Sequence, residues 1–335
     1  MKKYVNLFVF VFMIGACLSQ GRAQTKSAVS YKNPVVDIAM PDPTVIKAAD
    51  GYFYVYATES TRNVPIMKSK DLVEWTYCNT AFTNKTRPRF EPKAGIWAPD
   101  INYINGKYVL YYAMSVWGGE QTCGIGVATA DSPQGPFTDH GKMFRSNEIG
   151  VQNSIDPSLL QYEGRNYLVW GSFRGIYVIE LTADGLSIMP GAKKKRIAGT
   201  AFEAVYIHKH GDYYYMFASI GSCCQGVKST YKVVVGRSKK VWGPYKDKTG
   251  KPMLKNGYSL VIGANGHFVG NGHGSQIIRD DAGQDWLLYH GFSRSTPENG
   301  RILLLDQIKW DQEGWPYVEG GSPSYETQKA PVFNN

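Results

Sequence analysis

Three carboxylates stand at comparable places in the chain: Asp42 and Asp156, each followed by Pro, and Glu203, followed by Ala. Asp100 holds a fourth such place with Pro99 before it rather than after, and His273 stands beside a fifth. An isolated Asp at a strand entry caps a turn, and Asp100 suits that description. Several acids arriving at one point are another matter, because a buried carboxylate is costly unless paired, hydrogen-bonded or used. Two such groups facing across an open pocket suit acid–base cleavage of a glycosidic bond. One, kept protonated, delivers a proton to the leaving oxygen; the other activates water or attacks the sugar. Trp97, Trp117 and Phe173 are the aromatic residues placed to stack on sugar faces. Competing machinery is thin, with no Gly-x-Ser-x-Gly elbow, P-loop, dinucleotide fingerprint or His-Glu-x-x-His. Of the six His, His273 and His290 fall in the same pocket region.

The acids recur because the chain recurs. Asp42 to Ile46 leads through Asp50-Gly51 into Tyr52 to Thr58, and Asp100 to Tyr103 through Asn105-Gly106 into Tyr108 to Ala113. Asp156 to Leu160 leads through Glu163-Gly164 into Tyr167 to Ser172, and Glu203 to Ile207 through His210-Gly211 into Tyr213 to Ser219. Gly274 to Ile278 leads through Ala282-Gly283 into Trp286 to His290. Each is an apolar strand, a Gly-containing turn and a β-branched or aromatic strand, hence a hairpin. The starts are 58, 56, 47 and 71 residues apart, room for four strands each, and helical periodicity of useful length is absent. The spacing predicts an all-β, five-bladed β-propeller, in which first strands line the channel and bring Asp42, Asp100, Asp156, Glu203 and His273 together. A β-sandwich does not explain why one hairpin returns five times.

The 335 residues are 43% hydrophobic and 19% charged, with 36 Gly and 23 Tyr, enough for a large core. No low-complexity stretch marks a boundary, so residues 30–330 read as one domain. Lys2-Lys3, the apolar run Leu7 to Cys17 and polar Ser19 to Gln24 read as an export signal over residues 1–23, too short to span a membrane permanently. Gly21-Arg22-Ala23 resembles a soluble-protein cleavage site. Ile14-Gly15-Ala16-Cys17 resembles a bacterial lipobox, which would tether the protein to a membrane through Cys17; Cys17 also fits the apolar core of the signal. The expected location is exported: periplasmic, outer-membrane-anchored or extracellular in a bacterium.

Removing the signal takes the charge from +9 to +6, with 34 basic against 28 acidic residues. The one basic run, Lys193 to Arg196, reads as a solvated hairpin loop, so no nucleic-acid partner is expected. Cys78, Cys123, Cys223 and Cys224 lack zinc spacing. The adjacent pair Cys223-Cys224 fits either a vicinal bridge or two small apolar residues.

Specific motifs accompany the repeat. They are Asn33-Pro34-Val35 before Asp42-Pro43, Trp97-Ala98-Pro99-Asp100, Ile125-Gly126-Val127-Ala128 before Gly135-Pro136-Phe137, Asn153-Ser154-Ile155-Asp156-Pro157, Gly171-Ser172-Phe173 and Glu203-Ala204. From about Asn33 to Tyr317 the chain resembles glycoside hydrolase family 43, propeller enzymes acting on arabinan and xylan. Ser222-Cys223-Cys224-Gln225-Gly226, Ser229-Thr230-Tyr231, Val235-Gly236-Arg237-Ser238 and Gly272-His273-Gly274-Ser275 look most like its arabinan endo-hydrolases. The resemblance implies an inverting enzyme, with Asp42 as general base, Glu203 as general acid and Asp156 raising and orienting that acid. It places Asn153, Ser172 and Phe173 against substrate, an arabinan or arabinoxylan-type plant polysaccharide. It makes His273 the residue beside one calcium ion at the propeller axis; a channel histidine without metal is the other reading. One departure is Pro41, where arabinan endo-hydrolases carry His. Pro-Asp-Pro is more like exo-acting arabinofuranosidases and xylosidases of the family, which makes an exo-acting α-L-arabinofuranosidase or β-xylosidase the second reading. A non-catalytic sugar-binding propeller is the reading from a different class.

Overall fold

Alternating β-branched and aromatic residues around Gly-containing turns form antiparallel hairpins, and each hairpin seeds a sheet. The computed structural model describes Met1 and residues 29–334, so the export signal and Cys17 lie outside the described residues. Blade 1 comprises Thr44–Lys47, Phe53–Tyr56, Pro65–Ser69 and Trp75–Thr80. Blade 2 comprises Gly95–Ile104, Lys107–Ser115, Gly124–Ala130 and Thr138–Arg145. Blade 3 comprises Ser158–Tyr162, Arg165–Trp170, Ile176–Glu180 and Lys195–Ala198. Blade 4 comprises Glu203–His210, Tyr213–Ile220, Lys232–Ser238 and Ser259–Ile262. Together with the sheet built on Phe268–Gly272, they make a five-bladed β-propeller. Lys195 and Arg196 enter the outer strand of blade 3, so the basic run is only partly loop; its side chains stay exposed as expected.

Blade 5 departs from simple repetition. Phe268–Gly272, Asp285–Ser293 and Arg301–Trp310 come from the chain's end, but the outer strand, Val36–Ala39, comes from its beginning. Ser30–Tyr31 then pairs with Gln328–Lys329. Pairing first and last strands closes the ring and leaves no unpaired junction between the ends.

The core is divided among the seams. Five apolar clusters lie between successive blades, among them Tyr54, Tyr56, Leu110 and Tyr112 between blades 1 and 2. Phe53, Val55, Leu303 and Leu305 fill the closing seam between blades 5 and 1. No blade buries its two faces alone, so the ring folds as a unit.

Buried Asn33 fastens the closing segment. Its amide nitrogen donates to the Leu305 carbonyl at 2.9 Å, and its oxygen accepts from the Leu305 N–H at 2.9 Å. Asn33→Ala leaves the Leu305 N–H unpaired in the core, while the Tyr31 hydroxyl still donates to the Leu305 carbonyl at 2.9 Å, and should cost about 1–3 kcal/mol of stability. A lowered denaturant midpoint with an unchanged slope in urea unfolding is the expected readout.

Candidate active site

The innermost segment of every blade contains one non-glycine residue in the left-handed backbone region near the cleft. These are Asp42, Ala98, Asp156, Ala204 and His273, with φ of 53°, 40°, 56°, 52° and 51°. For residues with a Cβ this conformation costs on the order of 1 kcal/mol or more and persists only when surroundings impose it. In four of the five, a side chain of the preceding blade captures the amide. His290 Nδ1 accepts from Asp42 N–H at 3.0 Å, Thr58 Oγ1 from Ala98 at 2.7 Å, Asp156 Oδ2 from Ala204 at 3.1 Å, and Ser219 Oγ from His273 at 2.8 Å.

This ring corrects the sequence alignment of the repeats. Asp42, Asp156 and His273 are equivalent, but Asp100 lies two residues beyond its left-handed position and Glu203 one residue before. Pairing is irregular at both places: Trp97 to Asp100 advances three residues against two on the partner strand, as does Glu203 to Tyr206. Such bulges re-aim side chains. Asp100 therefore sits beneath the cleft, accepting from Leu159 N–H at 2.7 Å and from Gln276 and Asn102 at 2.6 Å each. It is structural, as its Pro spacing suggested, although burial still raises its pKa to about 6.

Asp42 is kept ionised. Its Oδ1 accepts from Arg301 Nη1 at 2.8 Å and its Oδ2 from the Thr58 hydroxyl at 2.6 Å; Nδ1 of His273 lies 3.3 Å from Oδ1. Burial alone would raise its pKa, but Arg301, with His273 beside it, outweighs burial and holds it well below the usual carboxylate value. Burial lowers His290 to about 4, leaving it neutral and able to accept the Asp42 amide.

Glu203 and Asp156 are driven the other way. Burial, reinforced by the charge of Glu203, pushes Asp156 up to about 7. Burial also raises Glu203 and outweighs the hydrogen bonds from Ser172 and Tyr231. Two neighbouring carboxyls out of water cannot both ionise cheaply, so the pair retains a proton where Asp42 has none. Ser172 Oγ donates to Glu203 Oε2 at 2.6 Å, and Asn153 Nδ2 donates to Ser172 Oγ at 2.9 Å. Ser172 and Asn153 thus form a chain that fixes the Glu203 carboxyl.

All three carboxylates open into one cleft of about 620 Å³, which Trp97, Trp117, Asn153, Ser172, Phe173 and His273 also line. Trp117 is 78% exposed and its ring lies 5.5 Å from that of Trp97, a tilted aromatic pair on the wall. Cys223 and Cys224 are joined as a vicinal disulfide and line the cleft beside Gln225, which decides between the two sequence readings. Cys78 and Cys123 are free thiols. Sequence reading missed Thr58, Arg301 and the hydrogen bond of Tyr231. Thr58 carried a signal: Thr58, Ser172, Ser219 and His290 all close the second strand of a repeat, where each presents a polar atom to the next blade. Arg301 carried none, since it stands outside the repeated hairpin.

Comparison with known proteins agrees with this geometry. Residues 31–316 match the model of glycosyl hydrolases family 43. The chain is 36% identical over 307 residues to the extracellular exo-α-(1→5)-L-arabinofuranosidase of Cellvibrio japonicus, covering 83% of this chain and 86% of that one. It is 36% identical over 290 residues to the extracellular endo-α-(1→5)-L-arabinanase 1 of Bacillus subtilis, covering 82% and 86%. Among solved structures, the Cellvibrio cellulosa α-L-arabinanase complexed with arabinohexaose superposes with a TM-score of 0.76 at 33% identity, over 85% of this chain and 96% of that one.

The paired acids give a direct test. Asp156→Asn removes the carboxyl with which Glu203 shares a proton, so Glu203 should lose its proton at a lower pH than in the parent protein. Carboxyl ¹³C NMR titration of the two proteins measures the difference, and an unchanged Glu203 curve contradicts the coupling.

Proposed function

The chain belongs to glycosyl hydrolase family 43, and from that premise we propose that it hydrolyses α-1,5-linked L-arabinofuranosyl bonds of arabinan, with inversion at the anomeric carbon. One observation carries the reading: a single cleft holds a carboxylate pushed towards ionisation and a carboxyl pair pushed towards protonation. Groups driven apart in this way serve as base and acid.

Asp42, ionised, takes a proton from the water that attacks the anomeric carbon. Glu203, protonated, donates to the departing glycosidic oxygen, and the bond breaks as the water's oxygen bonds the sugar. Asp156 keeps that proton on the pair and, by accepting from Ala204 N–H, fixes the backbone immediately after Glu203. Ser172, anchored by Asn153, orients the acid. Trp117, Trp97 and Phe173 offer apolar faces to the sugar rings. The substrate class draws support from the relatives' named activities and from the arabinohexaose complex. The relatives' description as extracellular supports an exported enzyme.

The axial site is compatible with calcium. The channel below the cleft, lined by Asp100, Asp156, Ser158, His273 and Gln276, is not enclosed, so an ion there would keep its water shell. His273 directs Nδ1 at Asp42, which leaves its second nitrogen as the remaining donor. The carboxylate of Asp100 is already engaged, so His273 and water would hold the ion. Bound there, calcium would add positive charge under the carboxylates.

Asp42→Asn and Glu203→Gln should each lower kcat on linear arabinan by about 10²–10⁴-fold without loss of the folded state by circular dichroism. Near-normal release of reducing sugar by either variant would overturn the assignment. Chromatographic sizing separates internal cleavage, which yields graded oligosaccharides, from end-directed cleavage, which yields one short product throughout. Proton NMR of the first product reads the anomer and so tests inversion.

The pH profile has a defined sign. The acid must hold its proton, so kcat/KM should fall as pH rises through the neutral range, where burial and Glu203 place Asp156 at about 7. The base must be ionised, so the acidic limb should lie below about pH 4. A profile still rising above pH 8 contradicts these roles.

A further inference from the structure

The face of the propeller opposite the cleft carries a second group of ligating side chains. The innermost strand of blade 4 begins at the cleft with Glu203 and ends at the far face with His208-Lys209-His210. Extended chain rises roughly 3.3 Å per residue, so His210 stands about 20 Å from Glu203. Side chains alternate along a strand, which puts His208 and His210 on the same face. That face meets blade 5, where Trp310 stacks on His210 with centroids 3.7 Å apart and planes 7° apart. Asp285 opens the second strand of blade 5 at the same point. Each of His208, His210 and Asp285 offers one ligand atom within 4.8 Å of the other two. Nδ1 of His210 lies 3.8 Å from Oδ2 of Asp285.

Two features suggest that this cluster is more than packing. Nε2 of His208 is buried without a hydrogen-bond partner among the described residues. A nitrogen withdrawn from water and left unpaired is a cost that natural cores rarely bear without use. The carboxylate of Asp285, only 2% exposed, is served by Trp310 Nε1 at 2.8 Å and by Nε and Nη2 of Arg279 at 2.8 and 2.9 Å. Arg279 Nη2 is also 3.5 Å from His210 Nδ1, so a cationic group already stands between the imidazole and the carboxylate. The Arg279 side chain is 56% exposed and free to withdraw into solvent.

Two imidazoles at alternate positions of one strand, with a carboxylate from the neighbouring blade, form a donor set for borderline divalent metals. Zinc binds His nitrogen at about 2.0–2.1 Å and carboxylate oxygen at about 2.0–2.2 Å, which sets tetrahedral ligand atoms roughly 3.3 Å apart. The 3.8 Å between His210 and Asp285 needs only a small side-chain adjustment to reach that spacing. A hard cation such as calcium, which favours six or more oxygens, does not suit it.

We propose that His208, His210 and Asp285 bind one divalent transition-metal ion of the zinc type, displacing Arg279 and clamping blade 4 to blade 5. Solvent reaching the half-buried His210 completes the shell. The site is separate from the cleft and from the axial channel, and does not depend on the proposed reaction.

The test uses the mature chain, stripped of metal with a chelator and dialysed, then titrated with Zn²⁺ by calorimetry and followed by thermal unfolding. One equivalent should bind and raise the unfolding midpoint, while Ca²⁺ leaves the Zn²⁺ isotherm unchanged. His210→Ala and His208→Gln should each weaken Zn²⁺ binding by about tenfold or more. Arg279→Ala should tighten it, because the competing cation is gone; loss of a merely structural ion pair would not. No stoichiometric binding at about 100 µM Zn²⁺ overturns the proposal. So does an affinity unchanged in both His variants. His210 is at the rim of the cluster, so its variant tests the site even if the His208 substitution prevents folding.

Discussion

The structure depends on the way each blade holds the next at the axis. Five residues adopt a backbone conformation that side chains disfavour, and in four of them a side-chain acceptor from the preceding blade takes the amide. No isolated hairpin would stay there. The conformation exists only when both neighbours are in place, so the cleft carboxylates acquire their positions as the ring closes. This is why Asp42 and Asp156, more than one hundred residues apart in sequence, can be fixed as firmly as neighbours on one helix.

Closure also sets the charges. Asp42, Asp156 and Glu203 are largely buried at the floor of the cleft, and burial raises the free energy of any carboxylate there. The protein divides that penalty unequally. Asp42 receives Arg301, Thr58 and His273, and remains an anion; Glu203 and Asp156 receive hydroxyl and amide donors and the pull of His273, which burial outweighs, and keep a proton between them. The same ring hydrogen bonds take part in both outcomes. Thr58 donates to Asp42 while accepting from Ala98, and Asp156 accepts from the residue after Glu203. Position and protonation are therefore one property of the fold rather than two.

Closure is secured at the outer edge by the chain ends. Val36–Ala39, near the start of the described chain, completes the last blade, and Asn33 pairs both backbone groups of Leu305. Arg301, the cation that ionises Asp42, opens the very strand to which this N-terminal segment is joined. Breaking the closure would therefore disturb Asp42 as well as the sheet.

The sequence by itself determined the number of blades and the all-β class, because hairpin periodicity is a local signal, and it singled out Asp42, Asp156 and Glu203, which one cleft brings together. It located Trp97, Trp117, Asn153, Ser172, Phe173 and His273 well enough that one cleft contains them all. It could not align Asp100 and Glu203 with the other repeats, since a one-residue bulge is invisible until a partner strand fixes register. Nor could it show that Val36–Ala39 belongs to blade 5, that Arg301 meets Asp42, or that Cys223 and Cys224 are joined. Strand pairing, burial and long-range ion pairs depend on distance in space. Only the closed ring converts residues distant in sequence into the neighbours that decide which acid keeps its proton.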